Sequence, residues 1–303
     1  IELYNQDGVT VDLTGDVEIR YKKSLAEDSE LKQEIDDADF GFDTRYAVND
    51  DLQVGAFLEF SGDNSDRATG NTSVGNVYFG FYHNEFGTLK VGKLDTQLDD
   101  AGIGSDYLFG VQSFFQDADF GGEEAVRYDL DKGNFYFGLG LIQDKHNAKA
   151  IGEDGRFFDL KVGARVADFD FTAFYGNADL QGTKDGNALD AKESIMALEA
   201  RFAGIEDLNL EAGYYRTDND PKAGDKENTD TFAIAADYTM GKVSFAGGVS
   251  NTSYSKDGVD SHSDWFLNTG YGIAPNTTVY AEVGGTSEDG KETGYGVGIK
   301  ASF

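Results

Sequence analysis

Apolar and polar residues alternate with a period of two along almost the whole chain. Val9, Val11, Leu13, Gly15, Val17, Ile19 and Tyr21 share one parity, and Thr10, Asp12, Thr14, Asp16, Glu18, Arg20 and Lys22 share the other. The split returns at Leu52, Val54, Ala56, Leu58 and Phe60, at Phe158, Leu160, Val162, Ala164 and Val166, and at Phe232, Ile234, Ala236 and Tyr238. Such a period belongs to strands whose two faces meet different surroundings. Turn-rich segments between the runs predict about sixteen strands of roughly 8–14 residues. Short connections fall at Val48–Asp51, Asn84–Gly87, Asp131–Gly133, Ala167–Asp168, Ala203–Asp207, Met240–Lys242 and Ile273–Asn276. Long polar ones alternate with them, at Ser24–Glu34, Gly62–Ser73, Asp95–Glu124, Lys145–Gly155, Asn177–Lys192, Asp218–Thr229, Lys256–Ser261 and Thr286–Lys291. Pro221 and Pro275 both lie in connections, since proline cannot donate to a strand ladder.

The polar parity is more than solvated threonine. It carries Asp12, Asp16, Glu18, Asp37, Asp39, Asp43, Glu59, Asp159, Glu199, Glu211 and Glu282 together with Arg20, Arg45, Arg127, Lys161, Arg165 and Arg201. That face has to stay wet, because burying unpaired charge is costly. The apolar parity, rich in Phe, Tyr, Val and Leu, has to pack against a second sheet or against lipid. Regular alternation of short and long connections favours lipid, because an outer-membrane barrel puts short turns on one side and long loops on the other around a polar lumen. The last strand supports this reading. Tyr295, Val297, Ile299, Ala301 and Phe303 alternate with Gly294, Gly296, Gly298, Lys300 and Ser302, and a closed barrel pairs its last strand with its first to remove edges.

Composition narrows the function. With 25 Lys and Arg against 56 Asp and Glu, the formal net charge is −31, which excludes a general nucleic-acid binder. The absence of Cys excludes thiol chemistry and Cys-ligated metal. The longest apolar or aromatic stretch, Phe135–Ile142, is far short of the roughly 18–20 residues of a membrane-spanning helix. An N-terminus reading Ile1-Glu2-Leu3-Tyr4 suggests an exported chain whose leader has been removed.

On these residues the chain resembles the trimeric general porins of Gram-negative bacteria, most closely the OmpT-type porins of vibrios. Tyr4-Asn5, Asp7-Gly8, Val11-Asp12-Leu13 and Gly15 at the start, Phe120-Gly121-Gly122 in the longest loop and the terminal Phe303 carry the likeness. It implies an all-β, single-domain chain over residues 1–303: a 16-stranded antiparallel transmembrane β-barrel whose third extracellular loop, about 95–124, folds inward and narrows the pore. That loop holds Asp99, Asp100, Asp106, Asp117, Asp119, Glu123 and Glu124 and no Lys or Arg. Where the family reads Pro-Glu-Phe-Gly-Gly at the tip, this chain reads Ala118-Asp119-Phe120-Gly121-Gly122. The family also faces its acidic loop with a basic wall cluster; the matching positions here hold Asp16, Asp39 and Asn76, with Arg20 and Arg45 nearby and Asp37 and Asp43 on the same parity. The expectation is a weakened transverse field and cation preference, since charged rings in a wet pore select by sign. The resemblance further implies a homotrimer with a latch between subunits, Asp66 to Lys93, and a role for Phe303 as the signal read by barrel-assembly machinery. Outer-membrane lipid and small hydrophilic solutes are the other expected partners, with no cofactor.

Rival readings are narrower. A substrate-specific porin, for example for oligosaccharides, would use Tyr107, Phe109, Phe114 and Phe115 as a stacking track. A barrel enzyme would need a catalytic constellation, and His83, His146 and His262 are isolated in sequence. Asp218-Asn219-Asp220 with Gly224 does not fit a calcium loop, because the glycine and the closing acid are misplaced.

Overall fold

The structure is a computed structural model that describes all residues except 64–66, 69–70, 112–119 and 185. A short strand β1 (Glu2–Gln6) turns through Asp7 and Gly8, both at positive φ, onto β2 (Val9–Lys23). There follow β3 (Lys32–Ala47), β4 (Leu52–Ser61), β5 (Ser73–His83), β6 (Gly87–Asp95), β7 (Gly121–Asp131), β8 (Phe135–Gln143), β9 (Arg156–Val166) and β10 (Phe169–Leu180). A small hairpin of β11 (Thr183–Lys184) and β12 (Asn187–Ala188) precedes β13 (Ala191–Ile205), β14 (Leu208–Pro221), β15 (Glu227–Met240), β16 (Val243–Tyr254), β17 (His262–Ala274), β18 (Thr277–Thr286) and β19 (Gly294–Ser302). Each strand from β2 to β10 and from β13 to β19 pairs antiparallel with the next, β10 pairs with β13, and β19 pairs with β2. The result is a closed ring of sixteen strands. Closure leaves no long edge, which is what lets an all-β chain sit in lipid.

At the seam, Gly15 and Phe303 exchange backbone hydrogen bonds of 3.0 and 2.9 Å, and the Leu13 amide donates to the Ile1 carbonyl at 2.8 Å. β1 thus prolongs the line of β19 along β2, because β19 pairs with residues 16–23 of β2 and β1 with residues 9–12. The seven short connections lie where the alternation predicts. The eight long ones also match, apart from ends taken up by longer strands; β7 begins at Gly121 rather than beyond Glu124.

The two parities part as a closed ring requires. On β15, Phe232 and Ile234 are 64% and 60% exposed, whereas Thr231 and Ala233 between them are 1% and 4% exposed. Exposed Val17, Phe79, Val162, Leu198, Leu267 and Val297 extend the apolar band around the ring. About 25 cal/mol per Å2 of apolar surface is a driving force that only lipid or another copy can satisfy here. No described helix is long and apolar enough to cross a membrane, and strands take that part.

Candidate functional site

The polar parity lines the interior, and residues 96–111 run across it. The loop opens at β6, where the Thr96 amide donates to the Phe120 carbonyl at 2.9 Å. A single 3-10 turn, Gln97–Asp100, follows. Its first amides face the Asp159 carboxylate of β9: the Leu98 N–H donates to Oδ2 at 2.8 Å, and the Thr96 hydroxyl stands 2.7 Å from the same oxygen. Asp159 is fully buried and Gly140, its cross-strand neighbour, makes the room, since a Cβ there would lie 2.0 Å from Oδ1. Further along, the Gly102 N–H donates to Glu199 of β13 at 2.5 Å, and Arg201 returns a bond to the Gly102 carbonyl at 2.6 Å. On the far side the amides of Tyr107, Leu108 and Phe109 donate to Glu282 of β18 at 2.6, 3.1 and 2.7 Å. Asn268 of β17 holds both the Ser105 carbonyl and Glu282. Three wall carboxylates therefore accept six bonds from the loop, five of them from backbone amides, and charge-assisted bonds of this kind are the strong ones. Apolar contacts complete the seat: Leu98, Ile103, Val111 and Phe120 pack with Ala197, Tyr215, Ala233 and Phe266.

The walls on either side differ in charge. On β2 and β3, Asp12 stands opposite Asp43, Asp16 opposite Asp39 and Glu18 opposite Asp37. Glu59 of β4 faces Gly41 in the next register, and oxygens of Asp37, Asp39 and Asp63 approach within 4.8 Å of one another. Arg20 is tied to Glu34 at 2.8 Å and to Asp36, and Arg45 to Asp43 at 2.8 Å while its guanidinium covers the Tyr82 ring at 3.9 Å. Asn76 lies beside this group, its amide donating to Glu59 at 2.7 Å. On the arc from β6 to β9 the cations dominate: Lys90 stands opposite Arg127, and Lys161 lies one register away beside Asp129. Asp100 of the loop bridges Arg127 and Lys161, 2.5 Å from each.

Among the sequence candidates, Asp99, Asp100 and Asp106 lie on the described loop and Asp100 meets the wall cations. Asp106 opens on solvent but is enclosed by the surrounding wall; that enclosure, then the Glu282 charge, push its carboxyl up to about 6. Two residues need correction. Glu123 and Glu124 belong to β7, and Glu124 accepts from the Lys145 and His146 amides, so it serves the next loop. Asp117, Asp119, Phe114, Phe115 and Asp66 lie outside the described residues. Lys93 stands on the parity of exposed Val77, its ammonium donating to the Val74 carbonyl at 2.7 Å. Arg127 and Lys161 were placed on the polar parity from sequence but not assigned to the wall that meets the loop, and Lys90 was not singled out; its place on the polar parity of its strand was the available signal. The aromatic track also changes: Tyr107 is stacked on Tyr280 at 4.2 Å, and Phe109 fills the space over Gly284 and Gly294.

A closed sixteen-stranded ring with a polar interior and an apolar girdle can be compared with known proteins as a whole. Residues 4–291 match the Gram-negative porin family. The chain belongs to that family. Porin-like protein H of Photobacterium profundum is 28% identical over 100% of this chain and 94% of its own length. Among solved structures, the trimer form of OmpT from Vibrio cholerae superposes with a TM-score of 0.82 at 22% identity, over 98% of this chain and 100% of that one. An anion-selective porin from Comamonas acidovorans gives 0.73 at 18% identity, over 97% of this chain and 100% of that one. The porin is thus an outer-membrane channel rather than an enzyme, and its barrel serves diffusion across that membrane.

Proposed function

We propose that this porin is a trimeric general diffusion channel with a preference for cations, narrowed by residues 96–111 folded into its lumen. The observation that carries the reading is the segregation of charge: acid faces acid on β2 and β3, while Arg127 and Lys161 on the arc from β6 to β9 are already paired with Asp100 and Asp129. A passing cation meets an excess of carboxylates on one wall, where, among the described residues, Asp43 alone of the facing acids is paired with an arginine, and on the other wall cations of which two are already paired. At an effective dielectric near 20, unit charges about 10 Å apart interact by about 1.7 kcal/mol before screening, and about 1.4 kcal/mol is a tenfold preference.

Trimer assembly is supported by the Vibrio cholerae OmpT trimer form and by the broad apolar outer face. In that arrangement Lys93 would receive Asp66 of a neighbouring copy. The wall carboxylates Asp16, Asp37, Asp39 and Asp43, with Asp100 and Asp106 on the loop, set the sign of the solute, and Arg20, Arg45 and Asn76 shape the same wall. The stacking of Tyr107 on Tyr280 and the packing of Phe109 weigh against an open sugar-binding track. Planar-bilayer recording of purified protein tests the proposal: the expected record has insertions in groups of three equal steps and no saturable block by maltose-type oligosaccharides. Single-step insertions, or block that saturates, would replace it with a monomeric or a substrate-specific channel.

A further inference from the structure

The outward face of the barrel carries two cavities, one above the other. Across β10 and β13 to β16, one row of outward residues reads Phe171, Ala200, Ala212, Ile234 and Val249. The next row toward the long connections reads Leu198, Tyr214, Phe232 and Asn251. Two adjacent alanines among large side chains leave an apolar groove of about 590 Å3. It lies half a ring away from β4 to β6, the arc of the proposed contact between Asp66 and Lys93, so a neighbouring copy in that trimer does not cover it. Higher on β14 the surface turns polar. Arg216 bonds Asp218 at 2.9 Å and Asp230 at 3.1 Å, and the Tyr214 hydroxyl donates to Asp230 at 2.5 Å. This group has one carboxylate more than it has cations. Beyond it a second cavity, of about 350 Å3, is lined by Asn177, Ser194, Asp218, Asn228, Lys192 and Lys226. Lys226 pairs with Asp220 at 2.8 Å, and Lys192 has no ion pair among the described residues.

We propose that the two cavities together seat one acylated, phosphorylated sugar lipid of the leaflet on the long-loop side. The order of the chemistry along β14 selects this occupant. An acyl chain fills the groove, because leaving apolar surface unpaired is costly. Sugar hydroxyls and amides meet the carboxylates of Asp218 and Asp230 and the side chains of Asn177, Ser194 and Asn228, which accept and donate hydrogen bonds. A phosphate farther out on the sugar meets the Lys192 ammonium, a charge-assisted contact. A glycerol phospholipid fits the order poorly. Its phosphate sits next to its chains, beside the excess carboxylate, where like charges repel. The site lies outside the lumen and is independent of the charge preference of the pore.

Native mass spectrometry of the detergent-purified chain reads how many lipids each subunit keeps. The probe is lipid A, an acylated disaccharide with two phosphates, and the comparison lipid is phosphatidylglycerol, which has chains and phosphate but no sugar. One lipid A per subunit is expected, held about tenfold more tightly than phosphatidylglycerol. Ala212→Phe fills the groove, and Lys192→Glu leaves the groove open but reverses the charge that meets the phosphate; each should weaken lipid A about tenfold. Lys192→Glu changes an exposed side chain and covers the case in which Ala212→Phe does not fold. Equal retention of the two lipids, or lipid A retention unchanged in both variants, would overturn the site. Trimers that fall apart in Ala212→Phe while the barrel stays folded would give the groove to a second copy and overturn it as well. Selective retention by a barrel that conducts nothing would support the site and contradict the pore.

Discussion

The two inner walls are built from the same alternating strands yet solve opposite electrostatic problems. On the arc from β6 to β9, Arg127 and Lys161 share the carboxylates of Asp100 and Asp129. On β2 and β3, three acid-to-acid cross-strand pairs lie in succession. Like charges directly opposite each other destabilise a sheet, so this wall carries a cost in folding that the Arg45–Asp43 pair offsets only in part. A cost of that kind is a mark of function, because residues that only needed to be wet could be threonine or asparagine. On the proposed reading, the sign of the channel is set less by the loop, whose Asp100 pairs with wall cations, than by the acid-rich wall across from it.

The comparison can be broken most sharply on the acidic side. Replacing Asp16, Asp37 and Asp39 together by Asn is expected to lower the cation-to-anion permeability ratio about tenfold, read from zero-current potentials; an unchanged ratio would place selectivity elsewhere. The same variant should fold at least as well as the parent, because it removes like-charge pairs, and its heat resistance in detergent checks this.

A smaller effect is expected from the other wall. Asp100→Asn frees the charges of Arg127 and Lys161 and should lower the ratio about threefold, a shift of roughly 0.65 kcal/mol. Should Asp100→Asn prove the stronger of the two changes, the loop rather than the wall sets the sign.

Acidity sharpens the picture further. Asp106, pushed up to about 6, loses its charge as pH falls through that value while most carboxylates stay ionised. Cation preference should therefore decline modestly, by less than about twofold, between about pH 7 and about pH 5, and Asp106→Asn should abolish that step. The sign for stability runs the same way: a carboxyl raised in the folded state favours folding when protonated, so its contribution weakens as pH rises from its ordinary value to about 6. The smallest change belongs to the subunit contact. Lys93→Glu is expected to lower trimer heat resistance by no more than about 1 kcal/mol of contact energy, and to leave selectivity alone, since Lys93 is on the outer parity.

Much of the fold was legible because one rule governs it. A period of two survives whatever the register, so all sixteen ring strands and both classes of connection could be placed from residues alone. Charge on one face was legible for the same reason. What the alternation does not carry is which residue stands opposite which. Lys90 and Arg127 are far apart in sequence and adjacent in space only because β6 and β7 pair across the long loop, so Arg127 and Lys161 were legible as polar-face charges but their grouping with Lys90 into one arc was not. Asp159, Glu199 and Glu282 looked like wall charges of no special role, because the backbone amides they receive lie many residues away. Short elements also escaped: β1 has too few residues for alternation to register, and β11 with β12 is a two-residue pair inside a polar loop.

The zero-current potential of the unaltered protein across a potassium chloride gradient is the most direct test of the acidic wall. Potassium and chloride have nearly equal mobilities, so the sign of the potential reports the wall charge alone. A potential of the cation-selective sign, shrinking as salt screens the carboxylates, is the expected result. An anion-selective sign would mean that Lys90, Arg127 and Lys161 command the pore, and the account of the two walls would have to be reversed.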